Sequence, residues 1–152
     1  MESGDRKWME RALREARRGA RADEVPIGAL AVLDGELVAA AHNRSMTSAD
    51  PTAHAEVLVL RRAGRKLGSH RLVGVSIYVT LEPCLMCIGA MIHARIARLV
   101  YGARDPKVGA TRRVRGKGLN HRFPVQGGVM KDECGEILRA FFAARRPANR
   151  RD

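Results

Sequence analysis

Apolar residues recur at helical spacing in the first segment of the chain, from Asp5 to Ala20. Met9, Leu13 and Ala16 fall on one face, while arginines occupy the other faces. A single apolar stripe of this kind is typical of an amphipathic helix that covers a core. The pattern therefore predicts a first helix over residues 5–20.

The pattern then changes to two short apolar runs, Ile27 to Leu33 and Leu37 to Ala41, joined by Asp34-Gly35. An Asp-Gly pair between apolar runs favours a tight hairpin turn. Because both runs are mostly apolar rather than cleanly alternating, we expect both faces of these strands to be covered. This segment predicts an antiparallel hairpin.

Helical and strand patterns alternate in the rest of the chain. Asp50 and Pro51 resemble a helix start, and Gly64 resembles a helix end, so a helix is predicted over about 53–63. The later elements are a strand over 75–81, a buried helix over 84–95, a short strand over 99–101 and a last helix over about 132–146. This order predicts an α/β fold with a mixed sheet and helices packed on both of its faces.

Length and composition fit a single domain, which we expect to span residues 1–152 with a basic tail at 147–152. The chain has 28 Lys and Arg against 16 Asp and Glu, a formal net charge of +12. Such a charge attracts polyanions, although an arginine-rich solvated surface would explain it equally well. Residues 104–123 contain seven of the basic residues and a single acidic one. This clustering favours contact with nucleic acid phosphates.

Cysteine use and hydropathy indicate where the protein acts. An odd count of three cysteines, two of them spaced C-x-x-C, argues against a disulfide framework. No apolar stretch approaches membrane-spanning length, and the charged N-terminal segment lacks the apolar core of a signal peptide. We expect a cytoplasmic protein with no membrane partner.

Two short motifs carry the candidate chemistry: His54-Ala55-Glu56 and, after 26 intervening residues, Pro83-Cys84-Leu85-Met86-Cys87. Cysteines at i and i+3 near a helix start share a face, and the helix dipole favours their thiolates. A ligand set of one nitrogen and two sulfurs suits zinc, and three protein ligands leave a fourth position for water. Glu56 is then the candidate general base for that water.

Each residue alone has a plainer explanation. A histidine on a buried helix is usually a core residue, a single C-x-x-C can be half of a zinc knuckle or a redox pair, and a first-turn Glu usually serves the helix dipole. Cys134 could also be a fourth ligand, although we expect it to be a small, partly buried core residue. The joint H-x-E and P-C-x-x-C pattern is the signature of zinc deaminases.

The chain resembles the bacterial tRNA-specific adenosine deaminases over almost its whole length. These enzymes belong to the zinc-dependent cytidine and deoxycytidylate deaminase superfamily. The resemblance therefore implies a cytidine-deaminase-like fold, an α/β three-layer α-β-α sandwich with a mixed central sheet of about five strands. The zinc motif is common to that superfamily, whereas other segments indicate the tRNA branch. The matching segments include residues 25–29, 43–44, 50–56, 80–84, 89–93, 102–105 and 120–122, with Phe141-Phe142 and Arg145-Arg146 near the end.

The resemblance implies hydrolytic conversion of adenosine to inosine at the wobble position of a tRNA anticodon stem-loop. It implies one Zn²⁺ per subunit of a homodimer, with His54, Cys84 and Cys87 as ligands and Glu56 as the catalytic proton shuttle. It also implies substrate contacts, which are placed at Asn43, Ala55, Ile27, Pro26, Asp105, Lys107, Arg145 and Arg146.

One stretch departs from the family: residues 110–118 are shorter and more basic than the usual loop. Two other functions stay open from the residues themselves. The same zinc chemistry could deaminate a free base or nucleoside, such as guanine or cytidine. A protein of another class, an RNA-binding protein with a structural zinc, would need a fourth protein ligand.

Overall fold

The computed structural model describes residues 4–145. Four α-helices, one 3-10 helix and five strands lie within this part of the chain. Their order and bounds are α1 Asp5–Arg21, β1 Gly28–Leu33, β2 Glu36–His42, α2 Ala55–Leu67, β3 Ser76–Leu81, α3 Leu85–Ala94, β4 Arg98–Ala103, the 3-10 helix Thr111–Arg115, β5 Val125–Gln126 and α4 Lys131–Arg145.

The strands form one mixed sheet in the order β2-β1-β3-β4-β5. β1 pairs antiparallel with both β2 and β3, whereas β3–β4 and β4–β5 are parallel. The Asp34-Gly35 hairpin is present, with both residues at positive φ. The prediction of a mixed five-stranded sheet is confirmed, although the fifth strand is only the dipeptide Val125–Gln126.

Helices cover both faces of the sheet. Alternate residues of β1 serve the two sides: Ala29 and Ala31 join a core cluster with α2 and α3, while Leu30 and Val32 join one with α1 and α4. The three-layer sandwich is thus confirmed. Among the helices in residues 4–145, none is both long and apolar enough to cross a bilayer.

The start of α1 is fixed to the sheet by a buried ion pair. Asp5 is 1% exposed, and its carboxylate accepts both terminal N–H groups of the Arg98 guanidinium, at 2.8 and 2.7 Å. The Tyr78 hydroxyl donates to the same carboxylate at 2.8 Å. Farther along α1, the helix packs against Gly28, the first residue of β1, so closely that a Cβ on Gly28 would lie 2.0 Å from the carbonyl oxygen of Ala12.

The bounds of α2 differ from the prediction at both ends. The Asp50 carboxylate accepts the N–H and hydroxyl of Thr52, which closes a turn, and the helix begins only at Ala55. At the other end α2 passes through Gly64 and ends at Gly68, which has the left-handed φ of 65°. Gly64 lies inside the helix, where the backbone of Ser69 packs against it: a Cβ on Gly64 would lie 3.1 Å from the carbonyl oxygen of Ser69.

Candidate active site

The N-termini of α2 and α3 converge at one end of the sheet. His54 is the extended residue that immediately precedes α2, and Cys84 occupies the same place before α3. Cys87 lies in the first turn of α3 and is fully buried. Both helices therefore point their positive ends, with unpaired backbone N–H groups, toward the same small volume.

Three ligand atoms gather in that volume. Cys84 Sγ lies 3.7 Å from His54 Nδ1 and 3.7 Å from Cys87 Sγ, and Cys87 Sγ lies 3.5 Å from His54 Nδ1. A tetrahedral zinc with bonds of about 2.3 Å to sulfur and about 2.05 Å to nitrogen separates two sulfurs by about 3.8 Å and sulfur from nitrogen by about 3.6 Å. The donor set thus fits a tetrahedral metal ion in both chemistry and dimensions.

Cys134 lies away from this group. Within residues 4–145, the set of His, Cys, Asp or Glu ligand atoms that come within 4.8 Å of one another consists of His54, Cys84 and Cys87. Cys134 is on α4, in the core cluster on the other face of the sheet. It is fully buried rather than partly buried, and a Cβ on Gly102 would lie 2.4 Å from its sulfur. Its position is explained by this close packing.

The carboxyl group of Glu56 is buried beside the three ligands, with 4% of the residue exposed. Burial raises its pKa to about 7, and this effect outweighs the opposing influences of its own backbone N–H and of His54. The pKa of Cys84 is lowered to about 5, chiefly by a hydrogen bond from the Cys87 thiol. The site therefore combines a thiolate ligand with a carboxyl group that can accept or donate a proton near neutral pH.

Four residues predicted to contact the substrate are linked through Asn43. The side-chain oxygen of Asn43 accepts the backbone N–H of Ala55 at 2.8 Å. The backbone N–H of Asn43 donates to the carbonyl of Ile27 at 3.1 Å. Pro26 is buried next to Ile27, which is half-buried. The structure thus brings Asn43, Ala55, Ile27 and Pro26 together with the N-terminus of α2.

Among the remaining predicted contacts, Asp105 and Lys107 lie on the loop after β4, and Arg145 is the last residue of α4. Asp105 begins a turn in which its Oδ1 accepts the N–H groups of Lys107 and Val108, and Lys107 is exposed. Arg145 donates to Asp23 at 2.6 Å, and its guanidinium lies 3.6 Å from the centre of the Phe141 ring. Arg146 and the basic tail at 147–152 fall outside the described residues.

Two buried glutamates that the sequence reasoning missed hold the loops beside the site. Glu24 accepts the N–H groups of Met46 and Thr47 and the Thr47 hydroxyl. Glu82 accepts the N–H groups of Asp105 and Thr111 and the Thr111 hydroxyl. Burial acts to raise the pKa of each, but these hydrogen bonds outweigh it and leave both pKa values lowered. The signal in the sequence was a charged residue next to an apolar pair, Val25-Pro26 in one case and Pro83-Cys84 in the other.

Comparison with known families agrees with this geometry. The MafB19-like deaminase family matches residues 3–146, which is nearly the whole chain. A buried glutamate beside a His-Cys-Cys group on two converging helices is the arrangement that zinc deaminases use. The chain belongs to the MafB19-like deaminase family.

Individual relatives indicate to which group within the deaminase family the chain belongs. The tRNA-specific adenosine deaminase of Agrobacterium fabrum is 50% identical over 143 residues, which cover 91% of this chain and 94% of that protein. A solved tRNA:A34 deaminase, from work on A-to-I editing at the wobble position of transfer RNA, superposes with a TM-score of 0.83 at 48% identity, covering 86% of this chain and 97% of that one. A guanine deaminase from Nitrosomonas europaea gives a TM-score of 0.74 at 27% identity, covering 89% and 82%. Within its family, the chain belongs with the tRNA-specific adenosine deaminases.

Proposed function

We propose that the protein hydrolyses adenosine to inosine at the wobble position of a tRNA anticodon. The observation that carries this proposal is the buried Glu56 carboxyl beside three metal-ligand atoms. The sequence is also 50% identical over 143 residues to a tRNA-specific adenosine deaminase. A structural zinc site would need a fourth protein ligand, because such sites are normally closed by four protein side chains. Three donors at zinc-like spacing favour a catalytic site over that alternative.

His54 Nδ1, Cys84 Sγ and Cys87 Sγ would hold one Zn²⁺ per subunit. The bound zinc supplies a water molecule whose pKa is lowered to about 7. The carboxylate of Glu56 would take one proton from this water, and the remaining hydroxide would form the new C–O bond at C6 of the adenine. Glu56 would then deliver a proton to the C6 amino group, so that the C6–N bond breaks and ammonia leaves. Proton transfer of this kind contributes about 10²–10⁴ in rate.

The residues around Asn43 are suited to hold an extruded base. Asn43 is already fixed by Ala55 and Ile27, so a base that enters this pocket meets a preformed wall with Pro26 and Ile27 on one side. We assign contacts with the flanking nucleotides to Asp105 and Lys107. Arg145 and Arg146 are assigned to the tRNA backbone. An anticodon loop suits this site, because unpaired bases cost less to extrude than paired ones.

We extend the proposal to a cytoplasmic homodimer formed by a single deaminase domain of 152 residues. The three cysteines are free, as expected in a reducing compartment. A groove of about 880 Å³ runs between α2 and α3, and its apolar lining includes Val57, Leu60 and Ala90. A second copy of this chain would cover that lining. Sedimentation velocity of the purified protein tests this part, and a monomer at micromolar concentration would contradict it.

A deaminase of free guanine is the second candidate, favoured by the solved guanine deaminase of the same fold. A free cytidine deaminase would use the same chemistry. The basic stretch at 104–123 argues against both, since a small neutral substrate gains nothing from a phosphate-binding surface. Activity on an anticodon stem-loop, compared with activity on free adenosine, guanine and cytidine, separates these candidate functions.

The Glu56→Ala variant is expected to retain zinc and to lose deamination of the stem-loop by at least about 10²-fold, because the proton carrier is gone. Inosine formation is measured by sequencing the treated RNA, and zinc content by elemental analysis. Glu10→Ala, which removes an exposed carboxylate on α1, is the matched control and should keep wild-type turnover. Turnover close to wild type in Glu56→Ala would end the proposal.

A further inference from the structure

The loop that follows β4 is fastened to the segment that carries the metal ligand Cys84. Glu82, two residues before Cys84, is buried, and its Oε1 accepts the N–H of Asp105 at 3.1 Å. Its Oε2 accepts the hydroxyl of Thr111 at 2.5 Å and the N–H of Thr111 at 3.3 Å. One carboxylate thus holds both ends of residues 105–111.

Backbone contacts complete this attachment. Glu82 donates its own N–H to the carbonyl of Ala103 at 2.8 Å, and Ala110 donates to the carbonyl of Pro83 at 2.9 Å. The middle of the loop also approaches the carboxylate closely, since a Cβ on Gly109 would lie 2.3 Å from Glu82 Oε1. The loop and residues 82–83 therefore form one packed unit that leads directly into Cys84.

Glu82 also sets the shape of the turn that exposes Lys107. The turn begins at Asp105, whose N–H is bound by Glu82 and whose Oδ1 accepts the N–H groups of Lys107 and Val108. Because the Asp105 side chain is used to close its own turn, the placement of Lys107 depends on where the Asp105 backbone is held. That position is fixed by Glu82 rather than by the exposed residues of the loop.

We propose that Glu82 is a positioning residue, which holds residues 104–111 against the Cys84 segment and so sets where the nucleotides beside the target base bind. This inference rests on the proposed function. It assigns Glu82 no contact with the reacting atoms. Its loss should therefore act on RNA binding and on the choice of flanking nucleotides, while the chemistry at Glu56 continues.

The test compares Glu82→Gln with the wild-type protein on two stem-loops, one complete and one with abasic sites on both sides of the target adenosine. In Glu82→Gln we expect KM for the complete stem-loop to rise roughly tenfold, the effect of losing one charge-assisted hydrogen bond, with kcat changed less than about threefold. The abasic sites should raise KM strongly in the wild type and only slightly in Glu82→Gln. A residue that merely supports the fold would not remove this dependence on flanking bases.

Thr111 provides a second route in case Glu82→Gln folds poorly. Thr111→Val removes the hydroxyl donor in a side chain of the same shape, and it should raise KM by a few-fold. Thr111→Ser restores the donor and should return KM to the wild-type value. Asp5→Asn, which alters a buried carboxylate on the opposite face of the sheet, should lower the melting temperature without changing KM or the flanking-base dependence.

Two results would overturn the inference. One is an unchanged KM and flanking-base dependence in folded, zinc-loaded Glu82→Gln and Thr111→Val. The other is a loss confined to kcat with a matching loss of zinc, which would make Glu82 a support of the metal site alone. A wild-type protein that leaves the complete stem-loop unmodified would instead refute the proposed function, so the two failures are distinguishable.

Discussion

At the scale of single residues, the three cysteines differ by what surrounds them. Cys84 and Cys87 lie at the start of α3 with their sulfurs 3.7 and 3.5 Å from His54 Nδ1. The hydrogen bond between the two sulfurs lowers the pKa of Cys84 and raises that of Cys87. Cys134 is enclosed by apolar side chains and by Gly102, and burial raises its pKa to about 12. The first two cysteines are therefore placed with His54 to hold a cation, whereas Cys134 lies outside that ligand group in the described part of the chain.

This difference predicts opposite effects on zinc content. Cys87→Ala removes one of three ligands and should leave the purified protein with little zinc. Cys134→Ala should retain about one zinc per chain, although the small cavity costs some stability. Elemental analysis of the two variants gives the comparison, and loss of zinc from Cys134→Ala would return the structural-zinc alternative to consideration.

The chemistry-bearing residues differ in how well the sequence predicted them. His54, Glu56, Cys84 and Cys87 lie in two short motifs with fixed spacing, and the structure brings the three predicted ligands together. Glu24 and Glu82 were missed because their partners lie 22 to 29 residues away along the chain. Such contacts follow from the tertiary fold and leave no local spacing to recognise.

At the scale of elements, periodic patterns predicted the helices and strands better than their ends. α1 and the β1–β2 hairpin lie close to where apolar spacing placed them. The start of α2 was wrong because the Asp50 carboxylate closes a turn with Thr52 instead of capping the helix. β5 has only two residues, so its pairing with β4 depends on the sheet edge already being present.

Docking of α1 on the sheet depends on the buried ion pair between Asp5 and Arg98. Asp5→Ala removes the buried carboxylate that accepts two N–H groups of the Arg98 guanidinium, which is 13% exposed. Breaking a buried pair in this way costs about 3–5 kcal/mol, so the melting temperature should fall by about 10 °C or more. Arg6→Ala is the control, because its pairs with Glu10 and Glu133 are exposed and such pairs contribute about 0–1 kcal/mol. Equal melting temperatures for the two variants would contradict this role for the ion pair.

At the scale of the whole molecule, the basic residues that give the net charge of +12 are distributed unevenly along the chain. Val114 is buried in the core cluster that contains α2 and α3, while its neighbours Arg112, Arg113 and Arg115 are exposed. The 3-10 helix therefore uses one apolar anchor to display three arginines on the loop beside the Cys84 segment. The stretch at 110–118 is thus built into the fold as a basic surface.

Salt dependence tests whether this surface meets phosphates. In the wild-type protein, log(1/KM) for the anticodon stem-loop should fall linearly with log[salt], with a slope of about −0.7 for each phosphate contacted in a single strand. Replacing Arg112 and Arg113 by alanine removes two such contacts and should make the slope shallower by about 1.4. The double variant Arg14→Ala, Arg17→Ala removes the same charge from exposed positions on α1, across the sheet, and should leave the slope unchanged. If both double variants shift the slope equally, the RNA responds to total charge, and the loop has no specific part in holding the backbone.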